Sequence, residues 1–344
     1  MKTKAICCLS LIMVVGSVAV AQCSGGPTKS SIIDWAKFHF DLCDTGYNSY
    51  EHILSPSTVG NLGLKWKYTA GYLVNSSPAV ANGMVYVGSN DSSVYALNAS
   101  TSALVWKYTT GNGKFVVLSA PAVANGVVYV GCSDNNLYAF NATTGALLWK
   151  YTTGNYVYSS PAVANGVVYA GSWDGDVYAL KATTGALIWK YTTGGSVAGS
   201  AAVASGVVFV GSKDGYVYAL SAGTGAFLWK YNLGPSNFVV ESSPAVANGV
   251  VYIGSDDNNV YALNAATGAF LWKYTTGYSV HSSPAVANGE VYVGSDDGNV
   301  YAINASTGTL LWRYTTGYPV YSSPAVANGV VYIGSYDYNL YAFR

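Results

Sequence analysis

The sequence predicts an all-β protein, a seven-bladed β-propeller made of four-stranded antiparallel blades. A segment of 40 or 43 residues occurs seven times in the 344-residue chain. Each copy holds several short apolar runs separated by turn residues. A period of this length with four short strands per copy is typical of propeller blades. One tryptophan marks each copy: Trp66, Trp106, Trp149, Trp189, Trp229, Trp272 and Trp312.

The sixth copy illustrates how one blade is expected to fold. Its first two apolar runs are joined by Asn288-Gly289, a pair that favours a tight hairpin because both turn residues need a positive φ. A second turn follows at 296–299 and a third at Thr307-Gly308. The four expected strands are residues 283–287, 290–295, 300–304 and 309–314.

An aspartate occupies the second turn of every copy. Aspartate side chains accept hydrogen bonds from the backbone two residues ahead, so we interpret these residues as turn formers. A calcium site at 256–257 or 296–297 is the alternative, but calcium needs six or more converging oxygens. No metal site is therefore predicted. We expect this turn, at Asp134 and Asn136 for example, to lie on the face opposite the variable loops. The seven aspartates are Asp91, Asp134, Asp174, Asp214, Asp257, Asp297 and Asp337.

The last copy ends after its third strand, and an outer-strand sequence precedes the first copy at residues 62–69. We expect this segment to pair with residues 340–344 and complete the seventh blade, which would close the ring and remove an open strand edge. The predicted propeller therefore spans residues 62–344, after a signal peptide at 1–21 and a leader at 22–61.

The composition limits the classes of partner. The formal net charge is zero, so no basic surface predicts nucleic-acid binding. Lys2 and Lys4, an apolar stretch and the small residues before Gln22 predict secretion, with no transmembrane segment in the mature chain. We expect a secreted or periplasmic protein; a lipid anchor at Cys23 is the alternative.

The cysteines and histidines predict no further chemistry. Cys23, Cys43 and Cys132 follow the signal peptide, and this odd number at unrelated positions is no disulfide framework, although a Cys23–Cys43 bridge stays open. The three histidines form no zinc motif, and no catalytic residue is predicted.

One motif carries a family resemblance. The run from Ala262 to Trp272, Ala-x-Asn-Ala-x-Thr-Gly-x-x-x-Trp, resembles the tryptophan-docking motif of the quinoprotein-type (pyrroloquinoline-quinone-like) β-propeller repeat family. The resemblance covers residues 32–344 and implies that each of the seven tryptophans packs between neighbouring blades. The family usually has aspartate where this chain has Asn98, Asn141, Lys181, Ser221, Asn264 and Asn304.

The family resemblance implies two functional alternatives. Some members are dehydrogenases that hold pyrroloquinoline quinone and calcium on the ring axis, and others are non-catalytic scaffolds, including a lipoprotein of outer-membrane protein assembly. The alcohol-oxidising members have an adjacent cysteine pair, whereas here the adjacent pair Cys7-Cys8 lies in the signal peptide. We therefore predict a non-catalytic scaffold of the bacterial envelope without a cofactor. A quinoprotein oxidoreductase is the alternative.

The copies differ most just before their first strands. One position there reads Asn75, Leu118, Tyr158, Gly199, Glu241, His281 and Tyr321 along the chain. The second and fifth copies carry longer loops at the same place, one of them containing Lys114. Because loops on a rigid scaffold often carry binding, this face is predicted to bind an unknown protein or a small polar ligand; neutral variation is the alternative. The candidate residues are Asn75, Lys114, Tyr158, Glu241, His281 and Tyr321.

Overall fold

The computed structural model describes residues 64–234, 239–327 and 330–344. The predicted signal peptide and the whole leader, with Cys23 and Cys43, lie outside these residues. The described chain forms seven consecutive antiparallel sheets and contains no α-helix. This confirms the predicted seven-bladed propeller, and the sheets are numbered here as blades one to seven.

The blades follow one another in chain order. Blade one comprises β1 (Ala79–Ala81), β2 (Met84–Ser89), β3 (Ser93–Asn98) and β4 (Leu104–Thr109); blade two, β5 (Ala122–Ala124), β6 (Val127–Gly131), β7 (Asn136–Asn141) and β8 (Leu147–Thr152). Blade three comprises β9 (Ala162–Ala164), β10 (Val167–Gly171), β11 (Asp176–Lys181) and β12 (Leu187–Thr192); blade four, β13 (Ala202–Ala204), β14 (Val207–Gly211), β15 (Tyr216–Ser221) and β16 (Phe227–Asn232). Blade five comprises β17 (Ala245–Ala247), β18 (Val250–Gly254), β19 (Asn259–Asn264) and β20 (Phe270–Thr275); blade six, β21 (Ala285–Ala287), β22 (Glu290–Gly294), β23 (Asn299–Asn304) and β24 (Leu310–Thr315). Blade seven comprises β25 (Ala325–Ala327), β26 (Val330–Gly334) and β27 (Leu340–Phe343).

Local turn chemistry sets the order of strands within each blade. In blade two, Asn125 and Gly126 have φ values of 50° and 75°, the left-handed conformation that a tight hairpin needs. In the second turn, Asp134 Oδ1 accepts a hydrogen bond from the Asn136 amide at 3.1 Å. Each blade is therefore a simple meander, in which every strand pairs with the next strand in sequence.

Neighbouring blades are joined by a repeated contact. Trp106 Nε1 in blade one donates to the carbonyl oxygen of Ala142 in blade two at 2.8 Å. The Tyr86 hydroxyl donates to the same oxygen at 3.1 Å. Gly145 lies against the indole, where a Cβ atom would come within 2.6 Å of the Trp106 ring. The equivalent tryptophans Trp149, Trp189, Trp229 and Trp272 donate to Ala182, Ala222, Ala265 and Ala305 at 2.9–3.0 Å.

The apolar core lies between the blades rather than in one central mass. Val128 and Val130 of blade two, for example, are completely buried in a cluster that contains Trp106 and Tyr86 of blade one. Cys132 is a buried free thiol at the same junction, and burial raises its pKa to about 12.

The expected closure by residues 62–69 is wrong for the part of this segment that the structure describes. Residues 64–69 form no strand, and blade seven has three strands. Trp66 is instead held on blade one, because its Nε1 donates to the Ala99 carbonyl oxygen at 3.0 Å. The segment therefore docks as the tryptophans of other blades do, without pairing with β27.

Candidate binding face

Two sets of loops lie at the same end of the blades. In a four-stranded meander, the turn between strands two and three lies at one end of the blade. Strand four finishes at that same end, where the chain passes to the next blade. Val116, in the loop between blades one and two, donates its amide to Ser133 Oγ in the second turn of blade two at 2.8 Å. We call this end the loop face. Asp134 and Asn136 belong to it, so the expectation that they lie on the opposite face is wrong.

The turn aspartates secure the loop face. Asp174 Oδ2 accepts hydrogen bonds from the Tyr178 hydroxyl at 2.7 Å and from the Gly154 amide, in the preceding loop, at 2.6 Å. The Tyr178 pKa is raised, chiefly by burial and then by its bond to Asp174. This arrangement ties a second turn to the loop that enters the same blade, and it supports the interpretation of these aspartates as structural.

Tyr158 and Glu241 belong to a continuous chain of side chains over blades three to five. The Tyr158 and Trp173 rings meet edge-on with centroids 5.1 Å apart. Lys213 Nζ lies 4.4 Å from the centre of the Trp173 ring and 2.6 Å from Glu241 Oε1. Lys213 thus joins an aromatic pair to a carboxylate, and its charge is neutralised by Glu241.

His281 lies between two carboxylates of different blades. Its Nε2 is 3.1 Å from Asp256 Oδ1 in blade five, and its Nδ1 is 3.0 Å from Asp296 Oδ2 in blade six. The carboxylate of Asp256, and then that of Asp296, raises the His281 pKa to about 9 against the opposing effect of burial. The imidazole is therefore a cation at neutral pH. Glu241 and His281 thus make their ion pairs with other residues, Lys213 for Glu241 and two aspartates for His281.

The remaining candidates are more exposed. The Tyr321 ring lies 5.3 Å from that of His281 and 4.6 Å from that of Tyr336. Asn75 and Lys114 lie at the surface of their loops. All six candidates thus lie on the loop face, but the contacts divide Tyr158 and Glu241 from His281 and Tyr321.

Sequence reasoning missed the second variable position of this face. It lies in the second turn, just before the repeated aspartate, and it supplies the partners of the candidate residues. Comparing this position between copies, as was done for the loops, would have found it, because it changes in character from blade to blade. It reads Asn90, Ser133, Trp173, Lys213, Asp256, Asp296 and Tyr336.

The charges of the face do not suit the cofactor that the resemblance implies. Pyrroloquinoline quinone is a tricarboxylate and needs cations that are not already paired. Lys213 is neutralised by Glu241, and His281 by Asp256 and Asp296. Lys114, the remaining cation of the candidate set, is exposed and supplies a single charge for three carboxylates. Within the described residues, no group of three or more His, Cys, Asp or Glu side chains is arranged to hold a metal ion.

Comparison with known protein families identifies proteins that are similar to this chain. The family described as "Outer membrane protein assembly factor BamB", a family of PQQ-type propeller repeats, matches residues 63–172, 157–279 and 257–344. The chain belongs to this family. A quinohemoprotein alcohol dehydrogenase of Comamonas testosteroni is 33% identical over 79 residues, which are 22% of this chain and 11% of that protein. The chain thus matches only a small part of this relative.

Solved structures share the fold. BamB from Moraxella catarrhalis has a TM-score of 0.70 at 22% identity, covering 81% of this chain and 85% of its own. The computationally designed Ika8 protein has a TM-score of 0.69 at 19% identity, covering 78% and 82%. The Comamonas testosteroni quinohemoprotein alcohol dehydrogenase has a TM-score of 0.65 at 17% identity, covering 88% and 76%. Among the described residues, no helix is long and apolar enough to span a membrane.

Proposed function

We propose that this protein is a non-catalytic scaffold that binds a protein partner through its loop face. Exposed tyrosines on this face carry the proposal. Tyr278, Tyr318 and Tyr336 on blades six and seven are each at least 60% exposed. Exposed apolar surface marks interaction sites, and tyrosine is enriched at protein interfaces.

The charged groups of the loop face suit a supporting role. These groups form two separate sets: Lys213 pairs with Glu241 and lies on Trp173, and His281 pairs with Asp256 and Asp296. Such pairing holds neighbouring turns in fixed positions, which lowers the entropy lost when a partner binds. The proposal therefore divides the face into exposed aromatic contact residues and a charged framework.

The family supports a scaffold role in the cell envelope. Its description names an outer membrane protein assembly factor, and a BamB shares the fold over most of both chains. Together with the predicted signal peptide, this favours a secreted or periplasmic protein. A quinoprotein oxidoreductase is the alternative, supported by a sequence match to 11% of one dehydrogenase and by the shared fold of that enzyme, and the pairing of Lys213 and His281 with carboxylates argues against it.

Two triple variants test the proposal. Tyr278→Ser, Tyr318→Ser and Tyr336→Ser remove the exposed ring surface. The matched control is Leu148→Ser, Leu228→Ser and Leu271→Ser, which removes three exposed apolar side chains from outer strands. A partner is first captured by cross-linking from the native envelope and purified, and its Kd is then measured for all three proteins. We expect the tyrosine variant to bind roughly 30-fold more weakly, as for the loss of about 2 kcal/mol of contact energy. An unchanged Kd for this variant, with loss in the leucine variant, would contradict the proposal.

The oxidoreductase alternative has its own test. Pyrroloquinoline quinone and calcium are added to the purified chain, and the melting temperature and the quinone absorbance are followed. We expect neither to change with saturation. A saturable rise in melting temperature would favour the quinoprotein function.

A further inference from the structure

Blade one exposes an apolar surface whose equivalent is buried in each of the other blades. A valine precedes the first strand of every blade and, in blades two to seven, is almost completely buried: Val117, Val157, Val197, Val240, Val280 and Val320. Val74, its counterpart in blade one, is 50% exposed. Val74 lines a cleft of about 260 Å³ together with Trp66, Tyr68, Val85, Val87 and Leu97.

The partner of this valine is a glycine of the preceding blade. A Cβ atom on Gly88 of blade one would lie 2.5 Å from Val117 of blade two, so the glycine makes room for the valine. The same contact recurs at Gly131, Gly171, Gly211, Gly254 and Gly294. At Gly334 of blade seven, the nearest atom to such a Cβ is Ser322 Oγ at 3.5 Å, and no valine is there. The described chain thus has one uncovered valine and one empty glycine position.

Strand pairing leaves a second matching pair of surfaces. Within the described parts of the chain, β27 pairs with β26 alone, and Leu340 on it is 75% exposed. Residues 64–69 carry an outer-strand sequence like that of β4, and Trp66 fixes them to blade one without a strand partner among the described residues. Blade one therefore presents both the exposed Val74 and, in residues 64–69, an outer-strand sequence that has no sheet to join among the described residues.

One copy of the chain does not bring these surfaces together. Successive inner strands pack side by side from β1 to β25, but the described residues show no comparable packing between β25 and β1. The hydrogen bond from a tryptophan to the next blade recurs at five junctions with lengths of 2.8–3.0 Å, so each of these blades is placed against the next in nearly the same way. If blades one and seven of the same chain could meet, the high effective concentration of one for the other would favour that contact. Their separation therefore indicates that the placement of each blade on the next does not bring blade seven onto blade one.

We propose that blade one binds blade seven of a second copy of this chain. The junction would be another example of the contact that each chain already makes between its own blades, with Val74 of one copy over Gly334 of the other. The register of β3 with β4 pairs Ser93 with Thr109 and Ala96 with Trp106. By the same register, Asn339 would lie opposite Thr69, and Ala342 opposite Trp66. The two surfaces differ, so the contact is heterologous and closes into a ring or extends.

Molecular mass as a function of concentration tests the proposal. The whole chain is measured by light scattering and sedimentation from roughly 1 to 200 µM, a range that covers ordinary interface affinities. Val74→Asp places a charge in the proposed junction. Val105→Asp is the matched control, since Val105 is 48% exposed on the outer strand of blade one. Gly334→Val fills the empty position.

The expected result is a mass that rises to twice that of the chain or more for the parent and for Val105→Asp. Val74→Asp and Gly334→Val should keep the mass of a single chain over the same range, with unchanged circular dichroism. A parent that stays a single chain at every concentration, or a Val74→Asp variant that associates like the parent, would overturn the proposal.

Disulfide trapping distinguishes a contact between two copies from a contact within one chain. Thr69→Cys and Asn339→Cys are made in separate proteins, which are mixed and oxidised. The parent is oxidised in parallel to measure the disulfides that the native cysteines form. We expect a disulfide between the two variants, because opposed strand residues lie within disulfide reach. The doubly substituted chain, oxidised at nanomolar concentration, should form no internal bridge. An internal bridge at that dilution would show that the chain closes on itself and would sink the proposal.

Discussion

His281 Nε2 lies 3.1 Å from Asp256 Oδ1, which links the loop entering blade six to the second turn of blade five. On its other side the imidazole contacts Asp296 of blade six. A single protonated ring thus joins two blades at the loop face. Because the ring must be charged to hold both carboxylates, the stability of this junction depends on pH.

The first prediction follows from the His281 pKa, which rises from 6.5 to about 9 on folding. A raised pKa stabilises the folded state fully below pH 6.5, and this stabilisation is lost as pH rises through about 9. His281→Gln should therefore be less stable than the parent by about 1–2 kcal/mol at pH 6, a value reduced for solvent screening. Urea unfolding at pH 6, 8 and 10 should show this difference shrinking. A constant difference over that range would contradict the assignment.

The second prediction concerns the tryptophan bond between blades. Trp149 is buried and donates to the Ala182 carbonyl oxygen. Trp149→Ala should lower the free energy of unfolding by about 3–5 kcal/mol. Trp149→Phe keeps most of the ring and should cost about 1–3 kcal/mol, because the buried carbonyl loses a donor. Trp66→Ala should cost less than Trp149→Ala, since Trp66 is only partly buried. Equal losses at the two positions would show that Trp66 is as deeply packed as Trp149.

The third prediction separates a packing glycine from a turn glycine. Gly145 and Gly126 have similar φ values, 71° and 75°. A Cβ on Gly145 would meet the Trp106 ring at 2.6 Å, whereas one on Gly126 would meet nothing within 4 Å. Gly126→Ala should cost about 1–2 kcal/mol for the left-handed backbone alone. Gly145→Ala should cost a further 1–3 kcal/mol or so from overpacking. Thermal unfolding of both variants checks this, and equal melting temperatures would count against the indole contact.

The fold could be predicted from the sequence because its turns are local. Asn288-Gly289 and the residues that follow specify each hairpin within a few positions, and the four strands expected for the sixth copy agree with β21 to β24 to within two residues. The closure could not be predicted in this way. It depends on how consecutive blades pack against each other, as Trp106 of blade one packs against Gly145 of blade two, and such contacts join residues far apart in the chain.

The loop face was found from differences between copies, but its contacts were not. Glu241 and His281 stand in neighbouring copies at the same position, which makes a direct contact plausible from sequence. Their partners Lys213 and Asp256 lie in second turns, which come 28 and 25 residues earlier in the chain. Antiparallel topology places these turns beside the loops, and applying that rule to Asp134 would have avoided the error about its face.

The last prediction concerns Cys132, which is buried between blades one and two in contact with Thr110 Oγ1 at 3.2 Å. Burial raises its pKa to about 12, so very little thiolate is present near neutral pH. A thiol reagent at pH 8 should therefore modify the folded parent and folded Cys132→Ser to the same extent. In denaturant, the parent should gain one reactive thiol over the variant. The measurement is the number of thiols titrated with and without urea, and rapid modification of Cys132 in the folded protein would mean that the first junction opens. Because the junction packs Val128 and Trp106 around this thiol, the rate of its slow modification also reports how often blades one and two separate.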